Sequence, residues 1–185
     1  MKNNTYKGES REDRLARLQK GSYVEAIETL LNSIDNYFNN EIRLTPDNHQ
    51  TSLLFMGIHA SALTISEAFF DESGMTGYKH FLEEYVDGEA DDRKFSEIAE
   101  TIHDWRNVLA HQWLGSIGHQ VGYDYDMEAG WERRDEVIFI NPRIYYEQYS
   151  SAFKAGGRIW DYQKNFTEDQ LDNIKLRIIN KFLKK

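Results

Sequence analysis

The distribution of apolar residues predicts a single all-α, or mostly α-helical, bundle carrying a small β-hairpin insertion. Three observations lead there. Apolar side chains recur at three- and four-residue spacing over most of the chain, the period of a helix with one buried face. One window, at about 119–140, changes to a period of two. The 185 residues are 40% apolar and 14% aromatic with only two prolines, enough for one packed core without a covalent staple.

Taken in order, residues 1–21 read as a polar N-terminal arm. Arg11, Arg14, Arg17 and Lys20 are spaced by three, and Leu15 and Leu18 leave a short, weakly held helix as the alternative. Residues 22–185 read as the single bundle domain. Ile27, Leu30, Leu31, Ile34, Tyr37 and Phe38 mark a first helix ended by Asn39-Asn40. Thr45-Pro46 reads as the cap and first residue of the next. That helix is apolar nearly all round from Leu53 to Phe70, as expected of a central one. Ser73-Gly74 and Gly77 break it, and Tyr78, Phe81, Leu82, Tyr85 and Val86 form a shorter helix. Asp87-Gly88 and Asp91-Asp92 read as the next loop and cap. A fourth helix, about 93–114, carries Phe95, Ile98, Ile102, Trp105, Leu109 and Trp113. Gly115, Gly118 and Gly122 end it. Val121, Tyr123 and Tyr125 then alternate with polar residues, Glu128-Ala129-Gly130 reads as a turn, and Val137–Ile140 as the return strand. Asn141-Pro142 starts a fifth helix, ended by Gly156-Gly157. Thr167 and Gln170 spell a capping box before Leu171, Ile174, Ile178, Ile179 and Phe182.

Composition narrows the function. With 31 acidic and 22 basic residues the net charge is −9, which disfavours broad, sequence-blind coating of nucleic acid and leaves room for a local basic site. The absence of cysteine removes thiolate nucleophiles, thiolate zinc sites and disulfides, and suits a reducing cytoplasm. No run of 18 apolar residues occurs, so no membrane span is expected, and MKNNTYKGES lacks the apolar segment of a secretory signal.

Six histidines, at 49, 59, 80, 103, 111 and 119, are the first candidates for chemistry. A carboxylate-bridged metal pair needs two Glu-x-x-His motifs, and only Glu100–His103 supplies one, so neither metal nor cofactor is expected. His103 then reads as a polar surface or interface residue. The zincin motif, the phosphate loop and the Gly-x-Ser-x-Gly elbow are all missing. What stands out is Asp104-Trp-Arg-Asn-Val-Leu-Ala-His111. At about 100° per residue, Arg106 falls at the rim of the apolar stripe and His111 roughly 160° from its centre, with His103, Asn107 and Ala110 between. That polar face is expected to point away from the protomer's core, toward water or a partner. Histidine suits proton transfer near neutral pH, and arginine forks onto phosphate oxygens. Together they suit metal-free cleavage of RNA by its own 2′-hydroxyl.

Arg106, Asn107 and His111, with four residues between arginine and histidine, resemble the signature of HEPN domains (higher eukaryote and prokaryote nucleotide-binding). The resemblance extends to a small helical bundle with the motif on a late helix, over about 22–115 and the last helix. The hairpin departs from the minimal pattern. Arg43 and His49 also fit the spacing but straddle the helix break at Thr45-Pro46. The resemblance implies a metal-independent endoribonuclease working as a homodimer, often the toxin of a toxin–antitoxin or phage-defence system. In it Arg106 would hold the scissile phosphate, His111 would act as general acid or base, and Asn107 would orient one of them.

Two further readings follow. The family also includes non-catalytic modules that bind a nucleotide or a partner such as a nucleotidyltransferase-like antitoxin. A metal-dependent helical-bundle enzyme is the other. Arg133 and Arg134, with Trp131 on the hairpin and Tyr123 and Tyr125 across it, are weak RNA-binding candidates beside His103. The plainer reading of that group is cross-strand packing.

Overall fold

The computed structural model describes residues 9–88, 93–112 and 121–183, except the side chains of 111, 112, 182 and 183. Trp113, Gly115, Gly118, His119 and Asp91-Asp92 therefore lie outside the described residues.

The arm takes up the helical alternative. Arg11–Lys20 is a helix, α1, capped by the Ser10 hydroxyl, which accepts from the Asp13 amide. It is held because Leu18 is completely buried against Ala26 and Ile179. Arg17 adds ion pairs to Glu9 and Glu25, and Lys175 donates to the carbonyls of Gln19 and Gly21 at the helix end. One leucine and a set of distant polar partners make a docked element from a segment polar by composition.

Helix α2, Tyr23–Tyr37, does not stop at Asn39-Asn40 but runs on as a π-helical turn, Phe38–Ile42, whose Phe38 and Ile42 are buried. Thr45-Pro46 does not start a helix. The Thr45 hydroxyl turns back to donate to the Ile42 carbonyl at 2.7 Å, closing the turn. The next helix, α3, begins at Thr51 and runs to Phe69. It is the central helix, packed by α4 (Gly74–Phe81), α5 (Ala99–Gln112), α6 (Pro142–Ser151) and α8 (Glu168–Arg177). By length and apolarity α3 is able to cross a bilayer, although its sequence holds no unbroken run of 18 apolar residues. Here the neighbouring helices bury most of it.

Gly77 sits inside α4 and does not break it; a Cβ there would lie 2.7 Å from the Glu72 carbonyl oxygen, so the close approach needs glycine. A π-helical turn, Leu82–Val86, follows α4 and buries Leu82, Tyr85 and Val86. A 3₁₀ turn, Phe95–Ile98, leads into α5 and is capped by buried Asp87, whose carboxylate accepts from the amides of Phe95 and Ser96.

The period-two region is a three-stranded sheet, not a simple hairpin. Its strands are β1 (Val121–Tyr123), β2 (Trp131–Arg134) and β3 (Val137–Ile140), in the order β1-β3-β2. The hairpin is β2–β3, turning at Asp135, which adopts φ 54°. β1 pairs with β3 in parallel, Val121 opposite Ile138, so Glu128-Ala129-Gly130 lies in the loop before β2 and does not reverse a strand pair. Ile138 and Ile140 carry the sheet onto the core.

Asn141 caps α6 as expected, accepting from the amides of Arg143 and Ile144, and its amide group also donates to the Met127 carbonyl, tying down that loop. α6 ends at Ser151, short of the glycine pair. A short α7, Tyr162–Asn165, precedes α8, whose capping box at Thr167 and Gln170 is complete. α8 continues as a π-helical turn, Ile178–Leu183.

Candidate functional site

Helix α5 presents the polar group. Ile102 and Leu109 are buried, Trp105 is half-buried and its indole N–H donates to the Tyr123 hydroxyl at 2.5 Å, so β1 is pinned to this helix. Burial pushes the Tyr123 hydroxyl up to about 12, so it stays protonated and the bond is between neutral groups.

Arg106 and Asn107 are half-buried neighbours. Nη1 of Arg106 donates to Oδ1 of Asn107 at 3.0 Å, which fixes one edge of the guanidinium. Its Nε is buried and meets no acceptor among the described residues. An always-charged group with an unfilled buried donor is an anomaly in a packed fold and marks this edge as a candidate anion contact.

His103 lies one turn before Arg106 and does not point cleanly outward. It is half-buried, and its Nδ1 sits 2.8 Å from Nε2 of His59 on α3. His59 is fully buried and was not singled out by sequence reasoning. Its ring lies 4.5 Å from that of Tyr78, whose hydroxyl shares a 2.5 Å hydrogen bond with Tyr145. Burial first, then the Arg106 charge and His103, push the His59 imidazole down to about 3, so it is neutral at physiological pH. The expectation of a polar face turned wholly away from the protomer's core therefore needs correcting. His103 and Arg106 face partly into the α3–α5 seam because α3 offers a polar residue where its neighbours are apolar. A histidine in an otherwise apolar run was the available signal.

His111 lies in the last turn of α5, and its side chain is outside the described residues. Arg133 and Arg134 are exposed on β2, the sheet edge opposite to β1 and its α5 contact. Arg134 is engaged: it pairs with Asp124 at 2.6 Å and with Glu132, and lies over the Phe139 ring at 4.5 Å. The aromatic candidates are packing residues. Trp131 donates to the Lys94 carbonyl, Tyr125 bonds to Thr51, and Tyr123 meets Phe55 and Trp105. Among the described residues, no group of three or more His, Asp or Glu side chains is arranged to hold a metal ion.

Comparisons with protein-family models, with curated proteins and with solved structures gave no match.

Proposed function

We propose that this chain is a HEPN-like endoribonuclease that cleaves RNA without a metal cofactor, acting as a homodimer. The observation that carries the reading is the guanidinium of Arg106, oriented by Asn107 and left with an unfilled buried donor on the helix whose last turn contains His111. In this reaction the ribose 2′-oxygen attacks the adjacent phosphorus and the P–O5′ bond breaks. The products are a 2′,3′-cyclic phosphate and a free 5′-hydroxyl. Arg106 stabilises the charge that grows on the phosphoryl oxygens. His111 moves a proton, taking it from the 2′-hydroxyl or giving it to the leaving 5′-oxygen. Pairing through α5 would place two such sets at one cleft. Cleavage of cellular RNA would put this work in the cytoplasm, in the role of a toxin or phage-defence effector.

The test is the purified full chain on a mixed RNA substrate with excess chelator. Wild type is expected to give cyclic-phosphate ends, with at least a hundredfold loss in Arg106→Ala and in His111→Ala, about the contribution of a general acid–base group. An inert wild type, or an Arg106→Ala variant that cuts at the wild-type rate, overturns the proposal. The partial burial of Arg106 and His103 favours one alternative, a non-catalytic module of the same fold that binds a nucleotide or a nucleotidyltransferase-like antitoxin. In that case the same assay shows binding that depends on Arg106 and no cleavage.

A further inference from the structure

Resting on the ribonuclease reading, we infer that His103 supplies a second hydrogen-bond donor to the phosphodiester beside Arg106, and that His59 is the positioning residue holding the His103 ring in the donating tautomer.

The geometry leaves few arrangements. One proton lies between Nε2 of His59 and Nδ1 of His103. If His59 owns it, Nδ1 of His59 is a bare lone pair, Nδ1 of His103 accepts, and neutral His103 carries its own proton on Nε2. If His103 owns it, His59 must carry its proton on Nδ1, an N–H sealed in the core with no acceptor among the described residues. Orphaned buried N–H groups are rare and cost about 1–3 kcal/mol. The first arrangement also puts both rings in the Nε2–H form, which a free neutral histidine prefers. Around His59 stand the Tyr78 ring from α4, with Tyr145 of α6 behind it, and His103 and Arg106 from α5. Among these described neighbours none is a carboxylate, so nothing competes with His103 for the His59 proton.

The consequence is specific. Nε2 of His103, across the ring from the His59 contact, makes no hydrogen bond among the described residues. It carries the ring's proton in the neutral tautomer above. His103 therefore acts as a donor toward an oxygen anion and not as the base. Arg106 is its neighbour on the helix surface at i+3, close enough for one anion to meet both. Two fixed donors, one permanently charged, match two non-bridging oxygens of a phosphodiester. Proton transfer is left to His111.

The test uses the full chain, labelled with ¹⁵N on histidine. The probe is an all-2′-deoxy oligonucleotide, which carries the phosphodiester and cannot be cut. Wild type is expected to show His103 as the Nε2–H tautomer. His59→Phe fills the volume without the donor, and should give His103 a mixture of tautomers and weaken the probe by no more than about twofold, the share of the donating tautomer lost. His59→Gln places an amide N–H where the imidazole N–H stood and should restore both readings. His103→Ala, on the half-exposed side of the pair, removes the donor and should weaken the probe about five- to tenfold, the loss of roughly one hydrogen bond, whether or not His59→Phe folds. A wild-type His103 with its proton on Nδ1 overturns the inference, as does an unchanged His103 tautomer in folded His59→Phe or unchanged probe binding in folded His103→Ala. Failure of the parent reading looks different: wild type leaves RNA intact while the tautomer and probe binding behave as described.

Discussion

His59 makes a quantitative prediction about acid stability. Its side chain is 0% exposed, and its pKa is pushed down to about 3 from an ordinary 6.5. An imidazole of this kind binds fewer protons in the folded chain than in the unfolded one. Its stability contribution is therefore complete above about pH 6.5 and is lost as the pH falls toward 3. At about pH 5 the unfolded state has gained roughly 1.5 units of advantage, about 2 kcal/mol from this one residue. His59→Gln keeps a polar side chain and a donor but cannot titrate. Urea unfolding followed by tryptophan fluorescence, for both proteins at about pH 7.5 and about pH 5, isolates the term, because the remaining histidines and carboxylates are common to both. Wild type should lose about 2 kcal/mol more than the variant over that interval. Parallel losses would mean that His59 is solvated or already charged in the native state, and the account of the α3–α5 seam would fall with it.

Other substitutions report on separate parts of the fold. Asp87→Ala removes the acceptor for two amides at the start of the 3₁₀ turn before α5 and should cost about 2 kcal/mol by the same unfolding assay. Leu18→Ala should cost about 2–3 kcal/mol and expose the α1–α2 junction to limited proteolysis, because this leucine anchors α1. Gly77→Ala forces a Cβ against the Glu72 backbone and should lower stability by about 1–3 kcal/mol, seen as a reduced urea midpoint. Arg134→Ala should leave RNA cleavage within about twofold of wild type, since its guanidinium is already held by Asp124 and Glu132; a loss comparable to that of Arg106→Ala would place the substrate on the sheet.

Local signals were the legible ones. The α8 capping box needs only Thr167 and Gln170, and the α6 start only Asn141 and Pro142, so a window of a few residues contains the whole cause. Helix α3 was legible because its apolar residues leave no polar face to misplace. Three things were hidden because their causes lie far along the chain. β1 pairs in parallel with β3 across the intervening β2, a choice that alternation alone cannot express. Helix α1 was one of two readings open from its own residues, and what decides it, Leu18 meeting Ile179, is the distant part. The Asn107 contact could be anticipated from its place beside Arg106, whereas the His59–His103 bond joins residues 44 apart. Thr45-Pro46 misled for a different reason: the threonine hydroxyl has a closer acceptor behind it, at Ile42, than any amide ahead.

The buried polar residues of α3 differ in a way that bears on function. Ser61 bonds to the carbonyls of Gly57 and Ile58 and to the Tyr149 hydroxyl, and Ser66 bonds to the Gly77 carbonyl. Both are satisfied inside the fold, and packing explains them. His59 is not satisfied: one nitrogen has no partner, the other reaches α5, and an apolar side chain there would leave no orphan. Incomplete pairing at a core position that touches the Arg106 face is where a fold departs from its own stability optimum. The same low-dielectric surroundings that make a charge on His59 expensive also limit its proton to one place. A ring held in that way can dictate the tautomer of its neighbour at the surface, which a solvated side chain, free to exchange protons with water, cannot do.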